Sequence, residues 1–122
     1  MKILIVDDSK VMRSIVKRTL RQAGFGNHEV VEAGNGSEGL EQVAEHTPDL
    51  VLCDWNMPEM NGIEMLQELR GAGNEVKFGF VTSEGTAEMH QVAPEAGALF
   101  LITTPFTADD FEETLSPVLA AA

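Results

Sequence analysis

The sequence predicts an α/β fold in which five parallel strands form one open sheet with helices on both faces, a doubly wound (βα)5 arrangement. Short apolar runs alternate along the 122 residues with segments whose apolar residues recur at helical spacing. Strands that alternate with helices pair in parallel through right-handed crossovers, and such a sheet needs cover on both faces. No repeat, linker or low-complexity segment interrupts the alternation. We therefore expect a single domain over residues 1–122.

The predicted strands are short apolar runs bounded by polar or turn-forming residues. In chain order they are 2–6, 30–31, 50–53, 76–81 and 99–102. The runs 2–6 and 50–53 are apolar almost throughout, which is typical of strands buried on both faces.

The predicted helices follow the strands. Ser9 is a suitable N-cap for the first helix, which should end near Gly24. Apolar residues at helical spacing mark the next two helices within 40–44 and 63–69. Thr107 is a suitable N-cap for the last helix.

Charge and hydropathy exclude several classes of protein. A formal net charge of −12 argues against nucleic acid as a partner, because phosphate binding needs a basic surface. The sequence has no apolar stretch long enough to cross a bilayer and no leader pattern, so we expect a cytoplasmic protein without membrane contact. The single cysteine, Cys53, cannot form an internal disulfide and is expected in the core.

Acidic side chains directly follow two of the predicted strands. Asp7 and Asp8 end the first strand, and Asp54 ends the third. Ligands of open α/β sheets bind beyond the carboxyl ends of the strands, where strand order reverses, and Thr82 should lie at the same edge. Three neighbouring carboxylates repel each other by roughly a few kcal/mol per pair, and a hard divalent ion such as Mg²⁺ would offset this. Magnesium usually shares its site with phosphate oxygens, so the pattern predicts phosphoryl chemistry.

Four short motifs spread over nearly the whole chain point to one family. They are Ile5-Val6-Asp7-Asp8, the stretch 54–62 with its Met-Pro and Gly, Val81-Thr82-Ser83 and Pro105-Phe106. Together they resemble the receiver domains of response regulators, most closely the single-domain chemotaxis response regulators. The resemblance implies a flavodoxin-like receiver fold and a signalling switch, not an enzyme, that assists only its own phosphorylation and dephosphorylation. We expect a monomer that acts by binding another protein.

The resemblance also implies a role for each matching residue. Asp54 would accept a phosphoryl group from a histidine kinase or phosphotransfer protein. Asp8, Asp54 and the backbone carbonyl of Asn56 would bind Mg²⁺, and Asp7 would act mainly through a bound water. Thr82 would hydrogen-bond the phosphoryl group and so produce a change of shape that a downstream protein reads.

Two departures from the family pattern leave a second interpretation open. Thr104 stands immediately before Pro105, where family members almost always carry Lys, and Leu101 replaces an aromatic residue that rotates inward on activation. A threonine can donate a hydrogen bond but does not replace the ammonium charge. The chain could therefore be a pseudo-receiver, an interaction module in which phosphorylation is lost or uncoupled from output. The resemblance also makes Thr104–Pro105 a candidate cis peptide bond.

Two prolines add to these departures. Pro94 and Pro117 fall inside the predicted fourth and fifth helices, where a proline removes a backbone hydrogen bond. They either kink or end their helices and so alter the face that partners read, or only shorten the helices.

The first helix also carries a basic stripe. Lys10, Arg13, Lys17 and Arg21 recur at spacings of three and four, opposite the apolar face. The stripe is either a solvated face or a docking surface for an acidic partner.

Two other classes fit the sequence less well. A phosphatase with an aspartyl nucleophile would need a second acid where Asn56 stands. In a flavin-binding relative, Asp7 and Asp8 would repel the cofactor phosphate unless a metal intervened.

Overall fold

A computed structural model, which describes residues 1–120, has five parallel strands in one sheet with helices on both faces. The strands are β1 Lys2–Val6, β2 Glu29–Ala33, β3 Leu50–Cys53, β4 Lys77–Thr82 and β5 Leu101–Thr103. The helices are α1 Lys10–Gln22, α2 Gly36–His46, α3 Gly62–Gly71, α4 Ala87–Ala96 and α5 Ala108–Ala120. The α/β class and the parallel sheet predicted from the sequence are confirmed. Among the described helices, none is long and apolar enough to cross a bilayer.

The sheet has the strand order β2-β1-β3-β4-β5. The chain therefore runs from β1 outward to β2 and then returns to β3 on the other side of β1, so strand order reverses between β1 and β3. In their parallel register Val6 pairs with Cys53. The residues that follow these two strands consequently leave the sheet side by side.

Two apolar layers cover the sheet. Leu4 and Val6 of β1 face the layer against α2, α3 and α4, whereas Ile3 and Ile5 face the layer against α1 and α5. All four of these side chains are buried. Burial on both faces explains why β1 is apolar throughout and does not alternate.

The predicted helix starts at Ser9 and Thr107 are confirmed. The Ser9 hydroxyl accepts a hydrogen bond from the N–H of Met12 at 3.2 Å. At the start of α5 the Asp110 N–H donates to the Thr107 hydroxyl at 3.1 Å, and the Thr107 N–H donates to the Asp110 carboxylate at 2.8 Å. Each cap supplies an acceptor for a first-turn N–H that has no partner within its helix.

The bounds of three strands differ from the prediction, and the smallest difference is in β4, which is Lys77–Thr82 and not 76–81. β5 begins at Leu101 and not at 99, although the Leu99 N–H still donates to the Phe78 carbonyl at 2.8 Å and the Leu99 side chain is 54% exposed. β2 is longer than 30–31, since it includes the polar residues Glu29 and Glu32. It is an edge strand, and edge strands accept polar side chains that a central strand does not.

Neither helix that contains a proline ends at that proline. α4 continues past Pro94 to Ala96, and its C-cap Gly97 has a left-handed φ of 105°. α5 continues past Pro117 to Ala120. The helices therefore do not end at these prolines, whereas a kink or a change of the face that partners read stays a prediction.

Gly79 in β4 makes room for an aromatic ring. A β-carbon at this position would lie 2.1 Å from ring atoms of Phe100. Gly79 is buried, and Phe100 packs against the layer formed with α1 and α5. The ring of Phe100 thus fills the space that a side chain on β4 would otherwise occupy.

The substitution Gly79→Ala should lower the free energy of unfolding by about 1–3 kcal/mol, because the Phe100 ring must shift to admit a methyl group. Chemical denaturation measures this change. Gly71→Ala is the matched control, since a β-carbon at the end of α3 meets no atom within 4 Å. The control should be neutral or slightly stabilising.

The same pair allows a double-mutant test. If the ring is the cause, Gly79→Ala should have little effect in a Phe100→Ala background. Equal destabilisation in both backgrounds would show that the cost arises elsewhere.

Candidate functional site

Three carboxylates meet at the carboxyl edge of the sheet, at the point where strand order reverses. Asp7 and Asp8 follow β1, and Asp54 follows β3. One carboxylate oxygen from each residue lies within 4.8 Å of the others. The backbone ladder continues to this point, because the Asp54 N–H donates to the Val6 carbonyl at 2.9 Å. The structure therefore brings together the acids that the sequence places at strand ends.

The three acids line a cavity of about 170 Å³. Its lining consists of Asp7, Asp8, Ser9, Met12, Asp54, Val81, Thr82, Ser83 and Thr104. Asn56 is not among the lining residues. It is exposed in the loop after β3, and its backbone N–H is directed at the Asp54 carboxylate. The role predicted for its carbonyl stays a prediction.

Asp7 is the most buried of the three acids, with 6% of its surface exposed. Its N–H donates to the Ala33 carbonyl at 3.1 Å, and its carboxylate accepts from the Ser9 N–H at 2.9 Å. The pKa of Asp7 is raised from an ordinary 3.8 to about 6, mainly by burial and then by the charges of Asp54 and Asp8, against the lowering effect of the Ser9 hydrogen bond and the charge of Arg13. The folded protein therefore disfavours the ionised form of Asp7 relative to an exposed aspartate.

Asp54 is half-buried and is fixed by neighbouring donors. Its Oδ1 accepts from the Trp55 N–H at 2.8 Å. Burial raises the pKa of Asp54, whereas hydrogen bonds from the Thr82 hydroxyl and the Trp55 N–H lower it, and the charge of Asp8 raises it. Thr82 is only 2% exposed. These contacts orient the carboxylate at the floor of the cavity.

Gly62 allows the loop after β3 to pass close to Asp54. A β-carbon there would lie 2.3 Å from the Asp54 carbonyl oxygen. The Gly62 N–H also donates to the Trp55 carbonyl at 2.8 Å. This close approach is the physical reason for a glycine at the end of the 54–62 motif.

The two departures from the family pattern lie in different places. Thr104 is half-buried and lines the acidic cavity, and its N–H donates to the Thr82 carbonyl at 3.0 Å. The Thr104–Pro105 peptide bond is cis, as the resemblance implies. Leu101 instead packs against the apolar layer on the α4 side of the sheet.

The basic stripe on α1 is only partly free. Arg13 and Lys17 both form ion pairs with Glu32 of β2 at 3.0 Å, whereas Lys10 and Arg21 are exposed. Arg13 also donates to the backbone carbonyl of Asp7 at 2.5 Å. This contact cannot be predicted from the sequence, because helical spacing alone does not show which element a side chain meets. The ion pairs among described side chains do not include any of the three site carboxylates.

Comparison with known proteins gives one consistent family. The response regulator receiver domain model matches residues 3–116. The chemotaxis protein CheY of Bacillus subtilis is 39% identical over 118 residues, which cover 97% of each chain. CheY-3 of Vibrio cholerae is 41% identical over 121 residues, which cover 97% of this chain and 91% of that protein.

Solved structures agree with the sequence comparison. The structure of Vibrio cholerae chemotaxis protein CheY4 superposes with a TM-score of 0.83 at 31% identity, covering 96% of this chain and 97% of that one. A response regulator receiver domain protein from Clostridium thermocellum gives a TM-score of 0.85 at 25% identity, covering 98% and 94%. The flavodoxin-like receiver fold is thereby confirmed. With the acidic edge, the matched family model and these relatives in agreement, the chain belongs to the response regulator receiver domain family.

Proposed function

We propose that this chain is a phosphorylatable receiver in a two-component system of the chemotaxis type. In this proposal Asp54 accepts a phosphoryl group from a histidine kinase or phosphotransfer protein, and the modified domain changes its binding to a downstream protein. The observation that carries the proposal is the cluster of three carboxylates, with ligand atoms within 4.8 Å of one another, in a cavity that Thr82 also lines.

The donor set fits magnesium. All three clustered groups are carboxylates, which are hard oxygen ligands, and no thiol or imidazole belongs to the cluster. The pKa values of Asp7 and Asp54 are raised mainly by burial and further by neighbouring carboxylates, and a divalent cation would offset both effects on the charged forms. Asp8, Asp54 and the Asn56 carbonyl would hold the ion, with Asp7 acting through water. When bound, magnesium neutralises charge on the phosphoryl oxygens.

The residues of the chain supply a fixed nucleophile. A hydrogen bond from the Trp55 N–H at 2.8 Å holds the Asp54 carboxylate, and Thr82 lines the same cavity. One carboxylate oxygen attacks phosphorus and forms an acyl phosphate, while the bond from phosphorus to the donor histidine nitrogen breaks. The electron pair stays on that nitrogen. Most of the rate enhancement in such a transfer is positioning and electrostatic stabilisation.

Thr82 connects this chemistry to the surface. Its hydroxyl is within reach of Asp54 and also accepts from the Glu84 N–H at 3.3 Å. The loop that follows packs tightly on β5, since a β-carbon at Gly85 would lie 2.3 Å from the Thr103 methyl group. When the Thr82 hydroxyl turns to a phosphoryl oxygen, this loop must adjust, and β5 and α4 adjust with it.

The second candidate is a pseudo-receiver that binds partners without phosphorylation. Thr104 favours this candidate, because a neutral hydroxyl lines the cavity at the position where the family carries an ammonium group. The two candidates share the fold and the acidic cluster. They differ in whether the site stabilises an added anionic group.

The first test uses the fluorescence of Trp55. This residue adjoins Asp54, and the centroid of its ring lies 4.6 Å from the ring centroid of Phe80. The wild-type protein should show a saturable change with Mg²⁺ and a second change when beryllofluoride is added. Asp54→Asn should abolish the second change, because the acceptor carboxylate is gone. Asp49→Asn, at the opposite edge of the sheet, is the control and should respond like the wild type. A wild-type response to Mg²⁺ alone would favour the pseudo-receiver.

Restoring a cation at position 104 is the second test. Thr104→Lys should tighten beryllofluoride binding by about tenfold, the effect of one charge-assisted hydrogen bond. Thr104→Met matches the length of the new side chain without its charge and should not tighten binding. If both variants bind the mimic as the wild type does, the cation at this position does not limit the site.

The pH dependence of metal binding is the third test. Mg²⁺ binds ionised carboxylates, so its apparent affinity should fall as pH is lowered through about 6, where Asp7 becomes protonated. Asp7→Asn should bind Mg²⁺ more weakly but lose this part of the pH dependence. Isothermal titration calorimetry between pH 5 and pH 7.5 measures both effects.

The same carboxyl should affect stability with the opposite sign. Folding raises the pKa of Asp7, so the folded protein holds this proton more tightly than the unfolded chain does, and stability is lost as pH rises through about 6. Without metal, Asp7→Asn should therefore stabilise the protein more at pH 7.5 than at pH 5. An equal effect at both pH values would contradict a raised pKa.

A further inference from the structure

Arg13 joins three elements next to the acidic site. From α1 its Nη1 donates to the Asp7 carbonyl oxygen at 2.5 Å, at the end of β1. Its Nε donates to Glu32 Oε1 on β2 at 3.0 Å. The second oxygen of Glu32 accepts from Lys17 Nζ at 3.0 Å. Glu32 is thus occupied on both oxygens, and the guanidinium group of Arg13 is held from two sides.

The bonded carbonyl belongs to the peptide that links Asp7 to Asp8. On the other side of Asp7 the backbone is already fixed, because its N–H donates to Ala33 in the ladder with β2. The Asp7 carboxylate is fixed as well, by the Ser9 N–H. Asp8 is exposed, so the direction of its carboxylate depends on the backbone that carries it. Arg13 is the side chain that holds this backbone.

We propose that Arg13, held by Glu32, is a positioning residue that sets the Asp7–Asp8 peptide and thereby places the Asp8 carboxylate beside Asp7 and Asp54. The role rests on the proposed function, since it acts on the site that would bind magnesium. It does not require Arg13 to touch the ion or the phosphoryl group.

Two effects of Arg13 on Mg²⁺ binding have opposite signs. As a cation near the site it repels the ion, so removing its charge alone would tighten binding, by at most about fivefold for a partly exposed group. As a positioning residue it aligns ligands, and losing such a partner usually weakens metal binding by about tenfold to a hundredfold. The direction of the change therefore separates the two effects.

The experiment compares three variants by Mg²⁺ titration of Trp55 fluorescence. Arg13→Gln removes both the charge and the planar guanidinium group. Arg13→Lys keeps the charge but loses the guanidinium group that donates to Glu32 and to the Asp7 carbonyl at the same time. Both should bind Mg²⁺ about tenfold more weakly or worse. Arg18→Gln is the matched control, because it removes the same charge from an exposed position of the same helix. It should stay within about twofold of the wild type.

A readout without metal accompanies the titration. The backbone amide resonances of Asp8 and Ser9 should shift in Arg13→Lys and not in Arg18→Gln, since only the former changes the peptide that Arg13 holds. Glu32→Gln should shift them in the same direction by a smaller amount. Denaturation curves of the same variants report stability separately, and a merely structural role would lower stability while leaving the Mg²⁺ affinity of the folded protein unchanged.

The outcomes are distinct. If the wild type binds Mg²⁺ and both Arg13 variants bind it equally well or more tightly, the positioning role is wrong and the proposed function stands. If the wild type shows no saturable Mg²⁺ binding, the metal-dependent function is wrong and the positioning role falls with it. Should Arg13→Gln fail to fold, Arg13→Lys and Glu32→Gln decide the question in the same way.

Discussion

The parallel pairing of β1 with β3 is the constraint on which the site depends. Val6 pairs with Cys53, and one further ladder bond joins the Asp54 N–H to Val6. Neither acid that follows can then move away from the other without breaking the ladder. Their crowding is built into the sheet, and the buried apolar layers on both faces supply the stability that offsets it.

Backbone groups make the crowded site tolerable. The N–H groups of Ser9 and Trp55 donate to Asp7 and Asp54, and hydrogen bonds to a carboxylate stabilise its charged form. They do not fully offset burial, because the pKa of each of these acids remains raised. The carboxylates of Asp7 and Asp54 therefore favour binding a proton or a cation. A divalent ion would satisfy this preference at neutral pH, and a proton satisfies it below about pH 6 for Asp7.

The parts of the fold that the sequence predicts are those that local patterns determine. β1 and β3 are apolar runs that end at acids. Ser9 and Thr107 are N-caps whose hydroxyl groups accept a hydrogen bond from the residue three positions later in the chain. The start of β5 does not follow from hydropathy, since Leu99 is apolar and yet 54% exposed. The contact of Arg13 with Asp7 depends on how α1 is rotated over the sheet, which spacing does not reveal.

Thr104 changes the balance between the two ions that a receiver must hold. A lysine in this cavity would repel a divalent cation and attract a phosphoryl group, so it weakens the first interaction while it strengthens the second. A neutral hydroxyl does neither. With the three carboxylates present, the cavity would therefore favour the metal, and an added phosphoryl group would depend on that metal more than it would beside an ammonium group. The two candidate functions therefore differ in how well the cavity stabilises the negative charge of a phosphoryl group. If Thr82 and the backbone donors replace the missing ammonium charge, the chain is a phosphorylatable receiver. If they do not, it is a pseudo-receiver.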